Sequence, residues 1–224
     1  MKKKLLVTTA ALALSLTSLA PITSLAATEA NPNTKVNNFQ ERNEQQSVLK
    51  ANNSVTNQKL DIDSALAYAH KWWGKRNPEY KKYDPNDCMN YISQILKAGG
   101  LGENKPETIA SEGVDSKKNY WYSKKQSDNI FTVSSTWINV GDFYTYWSKT
   151  QKVIQPNELD IMRDIEVGDV IQLQKKSEKR YSHAMFVVKK DAETVYLTGH
   201  TNDREKLDIR DIRDKYNFRV IKFS

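Results

Sequence analysis

Near residue 167 the chain changes the period of its apolar residues, and that change constrains the fold more than any other feature. Before it, apolar side chains recur at three- and four-residue spacing. "IDSALAYAHKWWGK" (62–75) sets Ile62, Leu66, Ala69 and Trp73 on one helical stripe, with Asp63 or Ser64 as its cap. "CMNYISQILKAGG" (88–100) repeats the pattern through Cys88, Tyr91/Ile92 and Ile95/Leu96, and Gly99-Gly100 stops it. Phe143, Tyr146 and Trp147 fit a further short helix. After the change, "VGDVIQLQK" (167–175), "SHAMFVVKK" (182–190), "TVYLTGH" (194–200) and "FRVIKFS" (218–224) are short β-branched or aromatic runs between polar turns. Helices first and strands later predict an α+β domain with an antiparallel sheet.

Residues 1–26 read as a signal peptide. Lys2, Lys3 and Lys4 precede the apolar run Leu5 to Leu19, and Ser24-Leu25-Ala26 matches a small-x-small cleavage pattern. No later segment approaches the ~20 apolar residues of a membrane span. The protein is therefore expected to be secreted and extracellular. Loss of the leader takes the formal charge from +7 to +4, because the leader holds three lysines and no acid. That mild excess favours an anionic surface such as a cell wall. The basic residues are scattered and no binding motif accompanies them, so nucleic acid is not an expected partner. Residues 27–59 are rich in Asn, Gln, Ser, Thr and Glu and read as a disordered spacer, which leaves 60–224 as one domain.

The domain holds the chain's single cysteine, so no intramolecular disulfide is open to it. Either Cys88 is a small core hydrophobe or it is a nucleophile. The turn "YDPND" (83–87) places it at the first position of a helix, with Asn86 or Asp87 available as a cap. There the positive end of the macrodipole favours the thiolate, whereas an Asp87 carboxylate opposes it.

A nucleophile needs a base, and His183 opens the second strand of the C-terminal group. A four-residue loop at 190–193 would pair residues whose numbers sum to 383, and so set His183 opposite His200. Cross-strand partners have Cβ atoms about 4.5–5.5 Å apart, close enough for His200 to fix the His183 tautomer. A register shifted by one removes that pairing and makes Asn202 or Asp203 the orienter. His70 lies one turn from Leu66 and Trp73 and reads as structural or solvent-facing. No HExxH and no close Cys/His pairing is present, so no metal or other cofactor is expected. The aromatic segment 101–160 fits core and loop packing, or a groove for a sugar or peptide.

"YDPNDCMNYISQILKAGG", "WINVGDFYTYW", "VGDVIQLQ…YSHAMFVV" and "VYLTGHTND" together resemble the Putative amidase domain family of secreted Gram-positive proteins, over about residues 60–224. More distantly the chain is similar to NlpC-type and CHAP cell-wall hydrolases. That resemblance implies a reduced papain-like fold, in which a Cys-bearing helix packs on an antiparallel sheet that carries the histidine. It implies Cys88 as nucleophile, His183 as base and then acid, and His200 at the orienter's place. The oxyanion would be held by the Cys88 N–H and a second donor, with Asn86 or Tyr83 as candidates. Asn90-Tyr91 stands where the family commonly has Asn-Phe, a mild departure. Gly168-Asp169 would shape the strand entrance. The expected activity is hydrolysis of an amide in peptidoglycan or a peptide, by an amidase or endopeptidase. The alternatives are acyl transfer to an amine, as in transglutaminases, and a binding or adhesion module with a vestigial site.

Overall fold

Two eleven-residue helices and a six-stranded antiparallel sheet frame the domain in a computed structural model that describes residues 59–224. The expected leader, and the spacer up to residue 58, lie outside the described residues. Helix α1 (Ile62–Trp72) starts at Asp61, whose carboxylate accepts from the Ser64 N–H at 3.3 Å and the Ser64 hydroxyl at 2.6 Å. The cap is therefore Asp61 and not Asp63 or Ser64, and the helix stops at Trp72, short of Lys75.

Helix α2 (Cys88–Ala98) buries every residue from Cys88 to Leu96, so it is enclosed on all sides and not along one stripe. Its buried polar groups are matched, as burial requires. Ser93 Oγ donates to the Trp137 carbonyl at 2.8 Å, and Gln94 Oε1 accepts from the Tyr68 hydroxyl at 2.7 Å. Trp137 Nε1 donates to Asn90 Oδ1 at 3.0 Å.

The segment after α2 forms a small sheet that the sequence pattern does not announce. It contains β1 (Gly113–Asp115), β2 (Ser123–Ser127) and β3 (Ile130–Ser134) in the order β1-β3-β2, with β1 parallel to β3. Helix α3 (Ser135–Ile138) leads to α4 (Val140–Trp147), which Asn139 caps through the Gly141 and Asp142 N–H groups. Trp121 lies tilted against Trp137 at 4.7 Å and meets Trp147 edge-on at 5.0 Å, and all three are fully buried. The aromatic density there is core packing.

The large sheet contains β4 (Val153–Ile154), then, after α5 (Ile161–Asp164), β5 (Val170–Lys175), β6 (His183–Lys190), β7 (Val195–Gly199), β8 (Arg204–Asp208) and β9 (Tyr216–Ile221). Its order is β4-β9-β5-β6-β7-β8, with every neighbouring pair antiparallel. The architecture is α+β. Strand alternation splits the core between two faces. Ala184 and Phe186 pack with Cys88 and α2, while Met185 and Val187 pack with Ile171 and Leu197 on the other face.

Gly168 precedes β5 with φ +102°, and a Cβ there would lie 2.3 Å from Ile62 Cδ1, so only glycine fits. Asp169, fully buried, accepts from the N–H groups of Glu166 (2.8 Å), Phe223 (3.1 Å) and Ser224 (3.3 Å) and pairs with Lys222. This Gly-Asp pair ties the chain's last residues to the start of β5.

The β6–β7 register differs from the expected one. The loop has four residues, 191–194, but begins one position later, and Lys190 pairs with Val195. Asp191 accepts from the Glu193 and Thr194 N–H groups at 3.1 and 3.0 Å, and that side-chain turn fixes the loop. A bulge at Val188 then shifts the register to Phe186↔Thr198 and Val187↔Leu197. Continued to the strand end, this sets position 200 opposite Ala184. His183 and His200 are not cross-strand partners.

Candidate functional site

Cys88 begins α2 with its side chain 6 % exposed. Backbone N–H groups of Ala184, Met89 and Cys88 itself approach the sulfur. Burial outweighs them and pushes the thiol up, and the neighbouring Asp87 charge adds to the rise. The helix-start field does not dominate, and the resting sulfur is a thiol.

His183 is the first residue of β6, one peptide before the Ala184 N–H that meets the sulfur. Its half-buried ring makes no hydrogen bond to another described residue, and none joins it to the thiol. Burial lowers its value from 6.5 to about 4, so the imidazole is neutral and basic nitrogen is available across the ordinary pH range.

Asp87 stands at the cap position of α2, yet its carboxylate caps nothing. Its Oδ1 accepts from Asn90 Nδ2 at 2.7 Å and from the Tyr83 N–H at 3.2 Å. Its Oδ2 lies 2.6 Å from His200 Nδ1 and 3.0 Å from Arg76 Nε. The Arg76 contact is an ion pair outside hydrogen-bond geometry, and its buried Nε has no hydrogen-bond partner. His200 Nε2 faces the Trp72 carbonyl at 2.9 Å, which can only accept. Both ring nitrogens of His200 are therefore engaged by oxygen atoms, and the ring stacks on Tyr91 at a centroid distance of 3.8 Å. The expected role of His200 as orienter of His183 is replaced by a contact with Asp87.

Asp203 belongs to the same cluster. Arg76 grips it with two parallel bonds, Nη1 to Oδ2 at 3.0 Å and Nη2 to Oδ1 at 2.9 Å. The Arg76 bond holds the Asp203 carboxyl below its ordinary value. Asn202 is exposed with φ +63° at the tip of the β7–β8 turn and orients nothing, and Asn86 is exposed as well. Thr201 beside it has φ +69°, a strained conformation for a β-branched residue. Its hydroxyl donates to the Pro85 carbonyl at 2.8 Å and holds the turn against the 83–87 loop. Tyr83 is half-buried, and its hydroxyl is enclosed without a hydrogen-bond partner. Burial, and then the Asp87 charge, push it up to about 12.

The structure thus brings Tyr83, Asp87, His200 and Asp203 into one cluster around Arg76, beside Cys88. Sequence reasoning misses Arg76 and Thr201. Arg76 lies in the irregular segment between the helices, where no spacing marks it; Thr201 carries a signal only in its position within a tight turn. His70 is exposed and pairs with Glu205 at 2.8 Å, a surface contact. Among the described residues no group of three or more His, Cys, Asp or Glu side chains is placed to hold a metal ion. No described helix is long and apolar enough to cross a membrane.

The Putative amidase domain family matches residues 59–221, and the chain belongs to it. The chain is similar to two Bacillus subtilis (strain 168) proteins. One, named Uncharacterized protein YhbB, is 31% identical over 127 residues, which cover 57% of this chain and 36% of the relative. The other, Uncharacterized protein YjcM, is 39% identical over 88 residues, covering 37% of this chain and 21% of the relative. The chain thus spans about a third of the length of the first of these curated relatives and about a fifth of the second. No solved structure matches it.

Proposed function

We propose that this member of the Putative amidase domain family is a cysteine-dependent amide hydrolase acting outside the cell on peptidoglycan stem peptides or their junction with the glycan. The observation that carries this reading is the seat of Cys88, at a helix start and against the Ala184 N–H, one residue from a neutral histidine.

His183 takes the thiol proton as sulfur bonds to the amide carbon. The pair starts uncharged, thiol and imidazole, so proton transfer accompanies attack and no ion pair precedes it. The free His183 ring swings to the thiol when substrate closes the site; hydrogen bonds of this kind are often long before substrate binds. The oxyanion accepts from the Cys88 N–H and from the unpartnered Tyr83 hydroxyl. His183 then gives its proton to the amine as the C–N bond breaks, leaving a thioester. Water, deprotonated by the same histidine, attacks the thioester and releases the acid and the thiol.

The test is mass spectrometry of purified cell wall digested by residues 27–224, with Cys88→Ala as control. New amino termini within stems identify a peptidase, and intact stems freed from glycan identify an amidase. Incorporation of a labelled amine identifies acyl transfer. A Cys88→Ala protein as active as wild type overturns the reading.

A further inference from the structure

Arg219 on β9 is 8 % exposed, and no described carboxylate neutralises it. A buried cation without a counter-charge is costly, and pairing with an anion offsets that cost. The desolvation is felt at the guanidinium, which is pulled below its ordinary value by burial.

What surrounds Arg219 is a built slot. Its guanidinium carbon lies 3.5 Å from the Tyr144 ring centroid and 4.0 Å from that of Tyr181, so the planar group is flanked by both aromatics. Its Nε and Nη2 donate to Gln172 Oε1, and Gln172 Nε2 is in turn anchored on the Val140 carbonyl at 2.8 Å. Gln172 engages one edge of the fork, and Nη1 lies outside those bonds.

The sheet register places this slot relative to the sulfur. Gln172 pairs with Arg219 on one side and with Ala184 on the other, so the three residues form one cross-strand row, against α2 at Ala184 and against α4 at Gln172 and Arg219. Ala184 packs in one core cluster with Cys88. Two strand spacings separate Ala184 from Arg219 along the row, about 10 Å. Tyr181, which flanks the guanidinium, is two residues before His183.

Resting on the cysteine-hydrolase reading, we infer that Arg219, held between Tyr144 and Tyr181, binds a free carboxylate of the substrate one to two residues from the amide that Cys88 attacks. The substrate class is then an acidic peptide. The carboxylate is either a chain terminus or an acidic side chain, and arginine meets both through the same paired N–H geometry.

The experiment reads Cys88 directly and needs no natural substrate. Wild type is alkylated at pH 9 by bromoacetyl-Gly-Gly acid, bromoacetyl-Gly-Asp-amide and the neutral bromoacetyl-Gly-Gly-amide, with adducts located by mass spectrometry. A charge-assisted contact predicts that an acid labels Cys88 about tenfold faster than the amide; the faster acid names the source of the carboxylate. Arg219→Met removes the preference and leaves the neutral rate unchanged, the latter reporting an intact thiol site. Arg219→Lys keeps the charge without the planar slot and retains a reduced preference. Equal wild-type rates for acid and amide, or a preference that survives Arg219→Met, overturn the inference and leave Cys88 as nucleophile. A thiol that none of the three reagents labels overturns both readings.

Discussion

Asp87 Oδ2 and His200 Nδ1 meet at 2.6 Å, joining residues 113 positions apart in the chain. The contact makes the residue before the cysteine a hub between α1, α2 and the β7–β8 turn. It also occupies His200, whose two ring nitrogens face Asp87 and the Trp72 carbonyl and not His183.

Truncating Asp87 leaves Arg76 and His200 without their shared carboxylate. Breaking a buried ion pair from one side costs about 3–5 kcal/mol. Asp87→Ala is expected to lower the unfolding free energy by that order in urea titrations. Asp87→Asn, which keeps the shape and one acceptor, loses less. A loss under about 1 kcal/mol for Asp87→Ala would show that the cluster is solvated and not a hub.

Tyr83 carries an enclosed hydroxyl with no partner in the resting protein. Deleting an unsatisfied buried hydroxyl is neutral or stabilising. If that hydroxyl donates to the oxyanion, Tyr83→Phe lowers kcat by about a hundredfold while the melting temperature holds or rises. Unchanged turnover would remove Tyr83 from the site.

His183 gives stability a pH dependence whose sign follows from its lowered value. The folded ring resists protonation down to about pH 4, whereas the unfolded ring takes a proton below its ordinary 6.5. Between those limits the unfolded state binds more protons. The stability linked to this ring is complete above pH 6.5 and is lost as pH falls toward 4. His183→Gln should flatten the unfolding free energy across that window relative to wild type. Parallel curves for the two proteins contradict the assignment.

Gly168→Ala meets two obstacles, a φ of +102° and a Cβ 2.3 Å from Ile62 Cδ1. Strain and forced displacement of Ile62 predict a loss of about 1–3 kcal/mol, read as a lower melting temperature. Adding Ile62→Val should recover part of it by opening room at the contact. No recovery would assign the whole loss to the backbone.

The change of apolar period carries the class of fold, because strand runs such as "VYLTG" and the stripe through Tyr91 and Ile95 repeat at the spacing of their element. It carries less where an element is short or polar. β8 reads "REKLD", with one apolar residue, and is held by its neighbour β7 more than by its own composition. The register fails for two local reasons: the loop sits one position later than expected, and a bulge at Val188 shifts the pairs beyond it, which nothing in "FVVKK" announces. Cys88 and His183 stand out by residue type and place. Arg76 and Arg219 do not, since their meaning lies in what the fold sets around them: two carboxylates in one case, two tyrosine rings in the other.

The buried, uncharged state of the Cys88 sulfur has a consequence for the protein's working lifetime. It is the thiolate that attacks peroxides and disulfides, and the path through sulfenic toward sulfonic acid starts from that anion. A sulfur held as thiol and 6 % exposed offers oxidants little to react with. With no second cysteine in the chain to reduce a sulfenic acid, durability has to come from not being oxidised at all.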